Sequence, residues 1–84
     1  MSEVQVYGAD WCEDTVRTRE HLDELGIEYE YLNVDQDAGA KQWVVQQNDG
    51  KQKTPTVKVA NRIVLSEPSD AELDIALRKS GLIQ

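Results

Sequence analysis

Residues 4 to 31 admit very few topologies, because a strand pattern, a punctuated helix pattern and a second strand pattern follow one another without a gap. Val4-Gln5-Val6-Tyr7 alternates apolar and polar side chains and stops at Gly8, the signature of a short strand. The next stretch predicts a helix from about Trp11 to Leu25. Asp10 supplies an N-cap, Glu13 is its capping-box partner three residues on, and Gly26 is the C′ residue. Ile27, Tyr29 and Tyr31 then alternate with Glu28 and Glu30, a strand with one wet face. A strand–helix–strand unit of this size closes right-handed with its strands parallel.

The remaining residues complete the architecture. Asp35 or Asp37 caps a second helix whose Ala40, Trp43, Val44 and Gln47 recur at i, i+3, i+4 and i+7, with Trp43 in the core. Asn48-Asp49-Gly50-Lys51 reads as a loop. Thr56-Val57-Lys58-Val59 and Ile63-Val64-Leu65 are two short strands joined tightly through Ala60-Asn61-Arg62, an antiparallel hairpin. Ser69-Asp70-Ala71-Glu72 is a second capping box. The helix behind it turns Leu73, Ala76 and Leu77 inward and ends at Ser80-Gly81. The order βαβαββα gives an α/β fold, a four-stranded mixed sheet flanked by three helices, which is the thioredoxin-like arrangement. At 84 residues the chain is expected to be one domain, residues 1–84, with a thin core.

Charge narrows the partners. A net charge of −7 disfavours a nucleic-acid partner, which requires a basic face to displace counterions, and equally disfavours an anionic membrane surface. No apolar window is long enough to span a bilayer, and Met1-Ser2-Glu3-Val4 has neither the basic nor the apolar region of a secretory signal. A cytoplasmic monomer is the expectation. One cysteine cannot form an internal disulfide, and the chain lacks ligands for a structural zinc.

That cysteine, Cys12, falls in the first turn of the first helix, where unpaired N–H groups and the positive end of the helix dipole favour a thiolate. A lone cysteine is more often a small buried hydrophobe, so its neighbours have to carry the reading. Trp11 offers an apolar wall beside the sulfur. Thr15 lies on the same helix face, with Thr18, Leu22 and Leu25 toward the sheet, and its hydroxyl can donate to the sulfur. Glu13 and Asp14 oppose the thiolate. Ser69 and Asp70 can present N–H groups and a carboxylate to a ligand, or simply cap their helix. Lys53, with Lys51, can meet a ligand carboxylate or remain solvated. His21 reads as a surface residue turned away from Cys12.

With these residues in hand, the chain resembles a bacterial glutaredoxin of the mycoredoxin-like, short type over nearly its whole length. The resemblance rests on Val6-Tyr7-Gly8-Ala9-Asp10-Trp11-Cys12, on Thr54-Pro55-Thr56-Val57, and on Leu65-Ser66-Glu67-Pro68-Ser69. It implies a thioredoxin-like fold, a nucleophilic cysteine at Cys12, a cis-proline at Pro55, and backbone bonds from Thr54 to a low-molecular-weight thiol. That thiol, of glutathione or mycothiol type, serves as co-substrate with oxidised protein substrates, and no bound cofactor or metal is implied. The chain departs from the family in three places. Cys12-Glu13-Asp14-Thr15 replaces the common Cys-x-x-Cys pattern, so the resolving cysteine is missing. It also lacks the Cys-Gly-Phe-Ser of cluster-holding monothiol members. Glu67-Pro68 stands where many glutathione binders have paired glycines. The resulting expectation is a monothiol thiol–disulfide oxidoreductase with Cys12, Trp11, Thr15 and Pro55 at the reaction and Thr54, Pro55, Lys53, Ser69 and Asp70 at the thiol. The alternatives are an iron–sulfur-carrying dimer and a non-catalytic thiol-binding module.

Overall fold

The alternation read in the strands is visible in the sheet as a division of labour between its two faces. The computed structural model describes residues 2–84; Met1, the first residue of the expected 1–84 domain, lies outside the described residues. Strand β1 (Val4–Gly8) is central. It pairs parallel with β2 (Glu30–Asn33) and antiparallel with β3 (Thr56–Val59), and β3 pairs antiparallel with β4 (Ile63–Ser66), giving the order β2-β1-β3-β4. On one face Val4, Val6, Val57 and Val59 meet Leu22 of α1 (Glu13–Glu24) and Leu73, Ala76 and Leu77 of α3 (Asp70–Lys79), all buried. On the other face Tyr7 and Leu32 pack with Val34 and with Ala40, Trp43 and Val44 of α2 (Ala38–Gln47). The thioredoxin-like fold with order βαβαββα is therefore realised, α1 and α3 on one side of the sheet and α2 on the other.

Local chemistry explains the ends of these elements. Gly26, at φ +72°, closes α1 in a Schellman motif: its N–H donates to the Asp23 carbonyl and that of Ile27 to the Leu22 carbonyl, at 3.1 and 3.0 Å. Asp37, not Asp35, caps α2 by accepting from the Ala40 N–H at 3.0 Å. Ser69 and Glu72 form the reciprocal capping box of α3. The β3–β4 hairpin turns through Ala60 and Asn61, both at positive φ, with the Arg62 N–H donating to the Val59 carbonyl. These two left-handed residues reverse the chain within the three residues between the paired Val59 and Ile63.

Several expectations need correction. Helix α1 starts at Glu13 rather than Trp11 and ends at Glu24, and its N-cap is Cys12, not Asp10. A tight turn, with the Cys12 N–H donating to the Ala9 carbonyl at 3.1 Å, delays the helix by two residues. Asp10 accepts instead from the Tyr31 hydroxyl at 2.7 Å, so no capping box with Glu13 forms. Ile27 and Tyr29 pack on the core before pairing begins at Glu30, because the chain is still crossing from the α1 cap to the sheet edge. Leu25 and Gln47 are exposed. The inward position after Val44 falls not on Gln47 but on Asn48, the C-cap of α2, which is buried at the start of the loop read there. Trp43 is only partly buried, stacked on Tyr7 with ring centroids 4.3 Å apart, because the face it covers is narrower than the α1–α3 face.

Candidate functional site

The C-terminal end of β1 turns directly into α1, and that turn carries Cys12. As the N-cap, Cys12 has extended backbone angles (φ −84°, ψ 115°), and its half-buried sulfur lies over the first turn of the helix. The sulfur donates to the Thr54 carbonyl at 3.6 Å, a contact bridging 42 residues of sequence. Thr54-Pro55 is cis, as the resemblance implied. Pro55 itself is buried, and its carbonyl accepts from the Glu67 N–H at 2.8 Å, tying the approach to α3 to the entrance of β3.

Opposing influences act on the thiol. Burial pushes its pKa up, while hydrogen bonds from the Thr15 and Thr54 side chains and from the Thr15 and Asp14 backbone N–H groups pull it down; the balance falls below the ordinary thiol value. Neither amide makes a closed capping bond to the neutral thiol, yet both face it closely enough to favour the charged form. The Thr54 carbonyl accepts the thiol proton, and the donors around the sulfur serve the thiolate left when that proton departs.

Thr15 is completely buried and its hydroxyl also accepts from the Ala9 N–H at 3.4 Å. It sits against Gly8, where a Cβ would come within 2.4 Å of Thr15 Cγ2 and 2.6 Å of Oγ1. Gly8 is thus required for close approach, beyond the strand-ending signal seen in the sequence. Trp11 is 70% exposed and its indole N–H donates to Asp35 at 2.8 Å, which fixes the ring against the β2–α2 connection. Lys53 is partly buried, its carbonyl accepts from the Thr56 hydroxyl at 2.7 Å, and among the described residues no carboxylate pairs with its amine.

At the start of α3, Ser69 spends both its N–H and its hydroxyl on Glu72. Asp70 is held by Arg17, whose guanidinium donates to it at 2.9 Å and to the Pro68 carbonyl at 3.3 Å. Arg17 was not singled out in the sequence. Its spacing three residues after Asp14, with which it also pairs at 3.6 Å, is the only signal it left. His21 is half-buried against α3, 2.7 Å from Asp74, and takes no part in the cysteine's surroundings. Cys12, Thr15, Thr54 and Pro55 thus come together, while among the described residues no hydrogen bond joins Lys53, Trp11, Ser69 or Asp70 to the sulfur. Among the described residues no group of side chains is arranged to hold a metal ion.

Comparison with known proteins fits this geometry. The sequence profile of the glutaredoxin family matches residues 4–64. The chain is 38% identical over 73 residues to Mycoredoxin 1 of Corynebacterium glutamicum, covering 87% of this chain and 90% of the relative. A glutaredoxin of Mycobacterium tuberculosis is 30% identical over 74 residues, covering 88% of each. Among solved structures, a mutant of the thioredoxin-like protein BC3987 superposes with a TM-score of 0.81 at 27% identity, covering 93% of this chain and 97% of that one. A glutaredoxin from Archaeoglobus fulgidus, at 24% identity and TM-score 0.73 over 93% and 88% of the two chains, shares the fold. The chain belongs to the glutaredoxin family and is a thiol–disulfide oxidoreductase of the glutaredoxin type.

Proposed function

We propose that Cys12 alone carries a monothiol exchange cycle between protein mixed disulfides and a low-molecular-weight thiol. The Cys12 thiolate attacks the small-thiol sulfur of a protein–S–S–R disulfide. A Cys12–S–S–R bond forms, the protein sulfur leaves as a thiolate and takes a proton from water. A second small thiol, as its thiolate, attacks the R sulfur, releasing RS–SR and the Cys12 thiolate. Over the cycle one mixed disulfide and one free small thiol become one protein thiol and one RS–SR, so the protein sulfur is reduced as the small thiol is oxidised.

The observation that carries this reading is the Cys12 sulfur at the N-cap of α1, 3.6 Å from the Thr54 carbonyl beside the cis Thr54-Pro55 bond, in surroundings that hold the thiol below its ordinary pKa. Thr15 holds the thiolate. The backbone of Thr54, presented by Pro55, pairs with the incoming thiol, and Trp11 flanks the approach. Lys53 meets polar groups of that thiol, and the segment around Ser69 and Asp70 borders it. The likeness to Mycoredoxin 1 supports mycothiol ahead of glutathione, and Glu67-Pro68 in place of paired glycines supports the same choice. Among the described residues no helix is long and apolar enough to cross a membrane.

Alkylation by iodoacetamide between pH 5 and 9 tests the nucleophile. The expected rate is half-maximal below the ordinary thiol value of about 8.5, and Cys12→Ser abolishes both labelling and reduction of a mixed disulfide. A midpoint at or above that value removes the proposal.

A further inference from the structure

Around Cys12 the surface is apolar at its centre and acidic at its edge, and this combination specifies a partner. Two exposed hydrophobic residues bracket Cys12 along the chain. Trp11 precedes it at 70% exposure, and Val16, whose N–H donates to the Cys12 carbonyl, follows one helical turn later at 41%. Carboxylates rim them. Glu13 and Asp14 occupy the first turn of α1, Asp10 lies in the turn before it, and Asp35 holds the Trp11 indole. The nearby cations offset this rim only in part. Arg17 is divided among Asp14, Asp70 and the Pro68 carbonyl, and Arg19 lies over the Tyr31 ring at 3.9 Å on the Asp10 side, so Glu13 and Asp35 are left without an ion pair among the described residues. A chain of net charge −7 adds a field of the same sign.

We propose that this face docks protein substrates in which the disulfide cysteine is flanked by lysine or arginine, and that it discriminates against acidic ones. The proposal rests on the exchange reading and names the substrate class of the same site. A cationic side chain next to the substrate cysteine lies over the carboxylate rim as the two sulfurs approach, and its aliphatic stem or guanidinium covers the Trp11 ring. An acidic flank meets like charges there, which slows encounter and destabilises the docked complex. A second copy of this chain is a poor occupant, because its rim carries the same sign.

Three peptides test it, identical except for Lys, Gln or Glu on both sides of one cysteine, each as its mixed disulfide with uncharged 2-mercaptoethanol. Cys12 takes the mercaptoethanol and liberates the peptide thiolate, and the rate of transfer is measured at low salt under single-turnover conditions. The expected order is Lys, Gln, Glu, spanning about tenfold to a hundredfold. In about 1 M salt, where screening acts over about 3 Å, the span collapses toward unity. Glu13→Gln with Asp35→Asn narrows the low-salt span, the asparagine keeping an acceptor for the Trp11 indole. Trp11→Ala lowers all three rates together. Equal rates for the three peptides, or a span indifferent to salt, overturns the docking proposal and leaves the exchange cycle standing. Transfer from none of them overturns the exchange cycle, and the docking proposal with it.

Discussion

A threonine hydroxyl has one proton to give, and at Thr15 the surroundings decide where it goes. The Ala9 N–H occupies the acceptor side of Oγ1 at 3.4 Å, leaving the proton free for the Cys12 sulfur. That donor is lost without change of volume in Thr15→Val. The expected results are a Cys12 titration midpoint moved upward and labelling at pH 7 slowed about tenfold, the scale of one hydrogen bond to a charged group. Thr15→Ser restores both, which a purely steric role would not do. Gly8→Ala acts on the same contact from the other side. Its Cβ would displace buried Thr15, so it costs about 1–3 kcal/mol in overpacking and also moves the midpoint upward. If Gly8→Ala lowers stability in urea but leaves the thiol's pH profile untouched, Thr15 does not act on the sulfur as described. Sequence reading reached Cys12 and Thr15 because both are local to one helix. It could not reach Arg17, Asp35 or the close fit of Gly8, since those contacts exist only after α3, the β2–α2 connection and β1 have converged.

Elements were legible where their signals are chemical and local. The Ser69–Glu72 capping box, the Gly26 and Gly81 stops and the hairpin through Asn61 all stand where the residue types put them. Boundaries slipped where a long-range bond outbid a local one: Asp10 pairs with the Tyr31 hydroxyl, raising the tyrosine's pKa to about 12 through burial and that bond, instead of capping α1. Asn48 stands in the loop where it is read, as the C-cap of α2, but the sequence does not reveal what its side chain does. Its amide donates to the Val44 carbonyl at 2.7 Å and to the Thr56 hydroxyl at 3.2 Å, and its carbonyl accepts from Ser66. One side chain therefore ties the end of α2 to β3 and β4, on the sheet face that has the smaller apolar core. Asn48→Ala leaves the Thr56 and Ser66 hydroxyls short of a partner and is expected to cost about 2–3 kcal/mol. Urea midpoints of this variant and of a Gln47→Ala control would measure it; equal midpoints would show the network to be idle. Thr56 adjoins Pro55, so the same variant is expected to loosen the Thr54 side of the cysteine's surroundings as well.

The two faces of the sheet carry unequal loads at the scale of the whole molecule, and opening should follow that asymmetry. Eight buried residues unite β1, β3, α1 and α3 on one side, whereas Val34, Ala40 and Val44 are the buried apolar residues on the other, helped by partly exposed Tyr7 and Trp43. A chain of this length has a total stability of only about 4–13 kcal/mol. Leu77→Ala or Leu22→Ala, each emptying a fully buried site at about 2–5 kcal/mol, removes a large share of it and acts on the entire fold. Val44→Ala deletes less volume from a layer that separates more readily. Native-state hydrogen exchange is therefore expected to show the amides of α2 exchanging through a local opening below the global free energy. Those of β1 and β3 should exchange only with complete unfolding. The cysteine's immediate partners, Thr15 on α1 and Thr54 before β3, belong to the more stable layer, so a thiol site can persist while α2 opens. Exchange of α2 and β1 amides at the same free energy would mean that the Tyr7–Trp43 stack and the Asn48 network couple the layers into one cooperative unit. Leu77→Ala separates the cases further: it should lower the protection of β1 and β3 by its full cost while leaving α2 exchange nearly unchanged, because α2 opens without exposing the Leu77 side of the sheet.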